Sequence, residues 1–132
     1  MLGSTIEWDV EVKGVEDGCF SKFFSIALPE NLSHSSLNTQ EGFHYCDSSY
    51  DSNFGGVLCP ELSFMEANNV EFSTTPNACF NRDRSGNYQQ CFGNVRNTLQ
   101  AFGFGGYGFG RNNSIDTSKP FHVKIHLEQT NG

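Results

Sequence analysis

Positive charge is scarce in this chain: 8 Lys and Arg stand against 15 Asp and Glu, giving a formal net charge of −7 and a pI near 4.9. No basic stripe or cluster supplies the phosphate neutralisation on which nucleic-acid affinity rests, so nucleic acid is not an expected partner. No apolar run approaches the roughly eighteen residues that cross a bilayer, so a membrane is not expected either. The opening Met1-Leu-Gly-Ser4 lacks the basic start and apolar stretch of a secretory leader. No Cys-x-x-Cys pair occurs, which argues against structural zinc and dithiol redox chemistry. Tryptophan is nearly absent, Trp8 standing alone. No window carries a capped 3.6-residue period, so helices are not expected.

What is present reads as strand. Residues 5–12 alternate, with Ile6, Trp8, Val10 and Val12 on one face and Glu7, Asp9 and Glu11 on the other. Residues 23–28 place Phe24, Ile26 and Leu28 on one face, and residues 121–128 set Phe121, Val123, Ile125 and Leu127 against His122, Lys124, His126 and Glu128. Stretches dense in Asn, Ser, Gly and Asp, 29–41 and 81–87, read as turns. The expectation is one all-β domain over residues 1–132, an antiparallel β-sandwich of the jelly-roll, concanavalin-like kind. A chain of 132 residues can bury a modest core. Most of the 13 Phe are expected in that core, and Trp8, on an apolar face, is expected there too.

Five widely spaced cysteines favour an oxidising compartment, with one thiol left over. The tripeptides Asn31-Leu-Ser33 and Asn112-Asn-Ser114 are glycosylation acceptors in a eukaryotic secretory route. A secreted, extracellular monomer is the expectation. Phe102-Gly-Phe-Gly-Gly-Tyr-Gly-Phe-Gly-Arg111 lacks the strand-to-helix context of a dinucleotide fingerprint. It reads either as a flexible aromatic loop or as a glycine-rich strand allowing close backbone packing. His122 and His126 share a strand face about 13 Å apart, too far for one metal to hold both. His34 and His44 sit in loops without a partner at ligand spacing. Neither a metal nor a cofactor is expected.

The most informative segment is Cys59-Pro-Glu-Leu-Ser-Phe-Met-Glu-Ala-Asn-Asn69. Side chains alternate along a strand, so Glu61 and Ser63 would share a face and Glu66 would point away. A β-bulge between Ser63 and Glu66 would return Glu66 to that face. Two carboxyls roughly 5–5.5 Å apart form the nucleophile and acid/base of a retaining glycosidase. Read alone, such a pair is more often two solvated charges.

The surrounding residues supply context. Tyr45-Cys-Asp-Ser48, then Cys59-Pro-Glu-Leu-Ser-Phe-Met-Glu-Ala-Asn-Asn69, then Thr75-Pro-Asn-Ala-Cys79 resemble the catalytic segment of glycoside hydrolase family 7 cellulases. That family writes Gly-Tyr-Cys-Asp, Cys-Ser-Glu-Met-Asp-Ile-Trp-Glu-Ala-Asn and Thr-Pro-His-Pro-Cys in the same order. Ile6-Glu-Trp-Asp-Val-Glu-Val12 with Gly18-Cys19, and Ile115-Asp-Thr-Ser-Lys-Pro-Phe121, look like two further family blocks. The likeness is collinear over nearly the whole chain. Family members run to several hundred residues, so a central piece or a reduced relative is implied.

The resemblance implies retaining hydrolysis of β-1,4-glucan, with Glu61 as nucleophile and Glu66 as acid/base. It implies disulfides Cys46–Cys59 and Cys79–Cys91, leaving Cys19 without a partner. Ser63 stands where the family has an aspartate, Met65 where it has a tryptophan, and Asn77 where it has a histidine. Ser63 and Asn77 are thus the expected supports of the pair, and Asn68, Tyr107 and Arg111 the expected substrate contacts. Serine keeps a hydrogen bond but supplies no charge, so impaired turnover, or glucan binding without turnover, is the alternative. A third reading is an excerpt that does not work alone, its exposed sheet edges favouring aggregation.

Overall fold

The structure is a computed structural model, in which residues 2–27, 46–49, 58–84, 87–92, 98–101 and 106–129 are described. Among them there are nine strands and no helix: β1 Thr5–Val10, β2 Ser21–Ile26, β3 Glu61–Ala67, β4 Glu71–Arg82, β5 Tyr88–Phe92, β6 Thr98–Ala101, β7 Tyr107–Gly108, β8 Ile115–Asp116 and β9 Phe121–His126. The strand order is β2-β3-β4-β5, with β6 also pairing β4; β1 pairs β9, and β7 pairs β8. The all-β expectation holds. The expected turn segment 29–41 lies outside the described residues, as do Leu28, His34 and His44.

The chain forms two compact units, the first comprising Met1–Lys22, Phe64–Ser73 and Thr98–Gly132. In it β1 and β9 run antiparallel, pairing Ile6 with Ile125, Trp8 with Val123 and Val10 with Phe121, so apolar side chains oppose each other on one face. The other face opposes Glu7 to Lys124 and Asp9 to His122. Lys124 Nζ lies 2.6 Å from Glu7 Oε1, and this hydrogen bond and charge hold the Glu7 carboxyl below its ordinary range. His122 reaches Asp9 at 3.0 Å and Glu7 at 3.7 Å, and His126 Nδ1 lies 3.0 Å from Thr5 Oγ1. Such exposed pairs are screened by solvent and fix the strand register more than they add stability. His122 and His126 thus sit in cross-strand pairs, as period-two alternation places them.

β1 ends at Val10, two residues before the alternation does, because Val12 enters a turn closed by Val15 N donating to Val12 O at 2.9 Å. Val12 is nevertheless fully buried. Val10, Val12, Met65 and Ala67 form the core of this unit, with Trp8, Val15, Phe72, Phe121 and Val123 packed against it. Trp8, half-buried, packs against this core on the face its strand pattern implied. Tyr107, Phe72 and Phe121 meet with ring centroids 5.8–6.4 Å apart, tilted or edge to face. Each such pair adds about 0.5–1.5 kcal/mol beyond area burial.

Within the glycine-rich segment Tyr107–Gly108 is a short strand, pairing in parallel with Ile115–Asp116, and bends flank it; residues 102–105 lie outside the described residues. Gly110 follows with φ +90°, a conformation a side chain disfavours. Its N–H donates to Asp116 Oδ1 at 2.9 Å. Asp116 Oδ1 also accepts from Ser118 Oγ at 2.6 Å and Ser118 N at 3.1 Å. The Ser118 hydroxyl foremost, then these backbone donors, hold the Asp116 carboxyl below its ordinary range.

The second unit comprises Phe23–Ser63 and Thr74–Asn97. β4 and β5 pair from Ala78↔Phe92 to Arg82↔Tyr88, so the strand runs one residue past the expected turn start at Asn81. Asp83 and Asn87 close the turn by Asp83 N to Asn87 O and Asn87 N to Asp83 Oδ1, both 2.9 Å. Cys79–Cys91 links the paired strands and Cys46–Cys59 ties the chain just ahead of β3. Cys19 is free and exposed.

Candidate functional site

Glu61 opens β3 two residues after the Cys46–Cys59 disulfide and is only 3% exposed. Taking a carboxylate out of water is costly unless donors replace the solvent. Ser63, two residues on and hence on the same strand face, donates from Oγ to Glu61 Oε1 at 2.6 Å. Asn77, from β4, adds Nδ2 to the same oxygen at 3.5 Å. Ser63 is fully enclosed. The structure thus brings Glu61, Ser63 and Asn77 together within the second unit, as a carboxylate held by neutral donors. Such a group can accept hydrogen bonds or present an oxygen as a nucleophile.

Glu66 lies in the first unit, five residues along the same strand. Its side chain is half-buried and forms an ion pair with Lys22 of β2, Nζ to Oε1 3.3 Å. Its backbone carbonyl accepts from Ser73 Oγ at 3.4 Å. On either side, Met65 and Ala67 are buried in the core of that unit. Lys22 was not legible as a site residue, since nothing in Ser21–Ile26 marks it apart from any outward lysine.

The expected substrate contacts divide. Tyr107 has no exposed surface; its hydroxyl donates to Asn68 O at 2.7 Å, and burial pushes its pKa up to about 12. A ring so enclosed offers no face to a sugar. Asn68 is buried, and its Oδ1 accepts from Val70 N at 2.9 Å and Glu71 N at 2.8 Å, capping the turn between β3 and β4. Both side chains are engaged within the protein in this arrangement. Arg111 is exposed, next to Gly110. Thr117, which the sequence did not single out, is fully buried and donates from Oγ1 to Asn69 O at 2.7 Å. Among the described residues no three His, Cys, Asp or Glu side chains gather as metal ligands.

No protein-family model and no curated protein matches the chain. Solved structures do. Native endocellulase EGI of Humicola insolens is 19% identical, with a TM-score of 0.73, over 99% of this chain and 38% of its own. A family 7 cellobiohydrolase from Daphnia pulex is 18% identical, with a TM-score of 0.65, over 96% of this chain and 39% of its own. An endoglucanase I complexed with cellobiose gives 18% identity and a TM-score of 0.65, over 99% of this chain and 39% of its own. The chain therefore spans under two fifths of the length of these structures. The likeness is one of fold: an antiparallel β-sandwich like that of the family 7 cellulases.

Proposed function

We propose that the chain is a retaining glycoside hydrolase acting on β-1,4-linked glucan outside the cell, with Glu61 as nucleophile and Glu66 as acid/base. The buried Glu61 carboxylate, held by Ser63 and Asn77, carries the reading. The fold likeness to cellulases supports the substrate class. Two disulfides suit an oxidising compartment.

In the first step a Glu61 oxygen attacks the anomeric carbon as the glycosidic C–O bond breaks, and Glu66 gives its proton to the departing oxygen. In the second, Glu66 takes a proton from water, whose oxygen displaces Glu61 and regenerates the carboxylate. Two inversions return the original configuration. This chemistry requires the carboxyls about 5–5.5 Å apart, for which a bulge between Ser63 and Glu66 would turn both to one side. It needs no cofactor. Arg111 is the remaining expected donor to sugar hydroxyls.

Glucan binding without turnover is the second reading, favoured by a specific contact. Lys22 Nζ, 3.3 Å from Glu66 Oε1, occupies the carboxyl that the first step would need free to reach the departing oxygen. The test is release of reducing ends from soluble β-glucan and cello-oligosaccharides between about pH 3 and pH 8, with Glu61→Gln as control. Activity absent from the control supports the hydrolase; a folded protein that binds cello-oligosaccharides without releasing ends supports the binder.

A further inference from the structure

The turn between β3 and β4, three residues of connecting chain, is held by hydrogen bonds from within and from outside. Internally, Asn68 N donates to Glu71 O at 3.0 Å while Asn68 Oδ1 takes the N–H groups of Val70 and Glu71. Externally, two consecutive carbonyls, those of Asn68 and Asn69, accept from the hydroxyls of Tyr107 and Thr117, each at 2.7 Å. Asn69 N donates in turn to Val15 O at 3.0 Å. Both hydroxyl-bearing side chains are fully buried.

The two donors form one rigid mount. Tyr107 belongs to β7 and Thr117 directly follows β8; Ile115 N donates to Gly106 O at 2.9 Å and Thr117 N to Gly108 O at 3.0 Å. Tyr107 is fixed further by its ring contacts with Phe72 and Phe121. A buried hydroxyl and carbonyl that lose each other cost about 1–3 kcal/mol, so the clamp resists any roll of the turn.

The clamped carbonyls lie two and three residues beyond Glu66. Met65 and Ala67, flanking it, are sunk in the core, and Ser73 holds its carbonyl. Rotation of this strand end about its axis is the motion that would re-aim the Glu66 side chain, and the clamp opposes it. We infer that Tyr107 and Thr117 are positioning residues, which aim the Glu66 carboxyl from inside the protein through the Asn68–Asn69 turn. The inference rests on the reading of Glu66 as acid/base for its catalytic consequence. A misplacement near 1 Å costs up to about 100-fold in rate.

The test compares Thr117→Val, Thr117→Ser and Tyr107→Phe with Ile125→Ala, a β9 variant away from the turn that reports loss of stability alone. Turnover of cello-oligosaccharides is measured together with the carboxyl carbon resonance of Glu66 in ¹³C-labelled protein. Thr117→Val and Tyr107→Phe are expected to move the Glu66 resonance and lower kcat about 10- to 100-fold with KM little changed. Thr117→Ser restores both, and Ile125→Ala lowers Tm without affecting either. An unmoved Glu66 resonance in folded Thr117→Val and Tyr107→Phe overturns the positioning role. If the unsubstituted protein shows no turnover while Thr117→Val and Tyr107→Phe still move the Glu66 resonance, positioning is upheld and the hydrolase reading is removed instead.

Discussion

Ser63 Oγ donates to Glu61 Oε1 at 2.6 Å, with the serine fully enclosed and the glutamate 3% exposed. A short, buried hydrogen bond to a carboxylate both fixes the oxygen and replaces lost solvation. Ser63→Ala leaves Glu61 short of a donor at a cost of about 1–3 kcal/mol. Under the hydrolase reading kcat falls roughly 10- to 100-fold. Steady-state kinetics check this, with circular dichroism confirming that the variant is folded.

Burial raises the Tyr107 pKa from 10.0 to about 12. Between those values the unfolded chain has released the phenolic proton while the folded chain keeps it. The contribution to stability is therefore complete below about pH 10 and declines as pH rises towards 12. Tyr107→Phe, with no phenol to ionise, loses the Asn68 hydrogen bond but not stability through this titration. Urea midpoints of the two proteins should differ most near neutral pH and converge in alkali. A constant gap would show that the phenol does not titrate with this linkage.

Asp116 works in the opposite direction. Its carboxyl is held below the ordinary 3.8 by Ser118, Gly110 N–H and, less strongly, Lys119. The stability it contributes is present above that ordinary value and is lost as pH falls through the lower, folded value. Asp116→Asn should flatten the acid limb of stability against pH, measured by thermal unfolding from about pH 2 to pH 6. An unchanged acid limb would remove Asp116 as its source.

The Cys79–Cys91 disulfide closes a short loop, with a sequence separation of 12. Replacing both cysteines by serine should cost about 3 kcal/mol through the freer unfolded chain. Cys19→Ser, at an exposed free thiol, should leave unfolding unchanged. Denaturant midpoints with and without reductant test both.

Much of this arrangement was legible because strand chemistry has a short period. β1 and β9 each carry one apolar and one polar face, so alternation alone identified the faces that pair Trp8 with Val123 and Glu7 with Lys124. The same period two placed Ser63 beside Glu61. Sequence reasoning failed where the partner comes from elsewhere in the chain. Lys22 reaches Glu66 from β2, and Thr117 reaches Asn69 across a sequence separation of 48; neither carries a local signal. Tyr107, an expected substrate contact, lies in a segment that reads either as a loop or as a close-packed strand, and its glycine neighbours permit the packing that encloses it. Asn68 looked available for ligand, but the backbone amides of its own turn consume its side-chain oxygen.

The central claim is that Glu61 is the nucleophile, and a covalent intermediate tests it most directly. A 2-deoxy-2-fluoro β-cellobioside carrying a dinitrophenolate leaving group reacts by carboxylate attack on the anomeric carbon with loss of the phenolate, and the fluorine slows the water step that follows. Peptide mass spectrometry of the treated protein should then find the 2-deoxy-2-fluorocellobiosyl ester on Glu61, and none in Glu61→Gln. An ester on another carboxylate, or a folded protein that binds the reagent and releases no dinitrophenolate, would contradict the assignment.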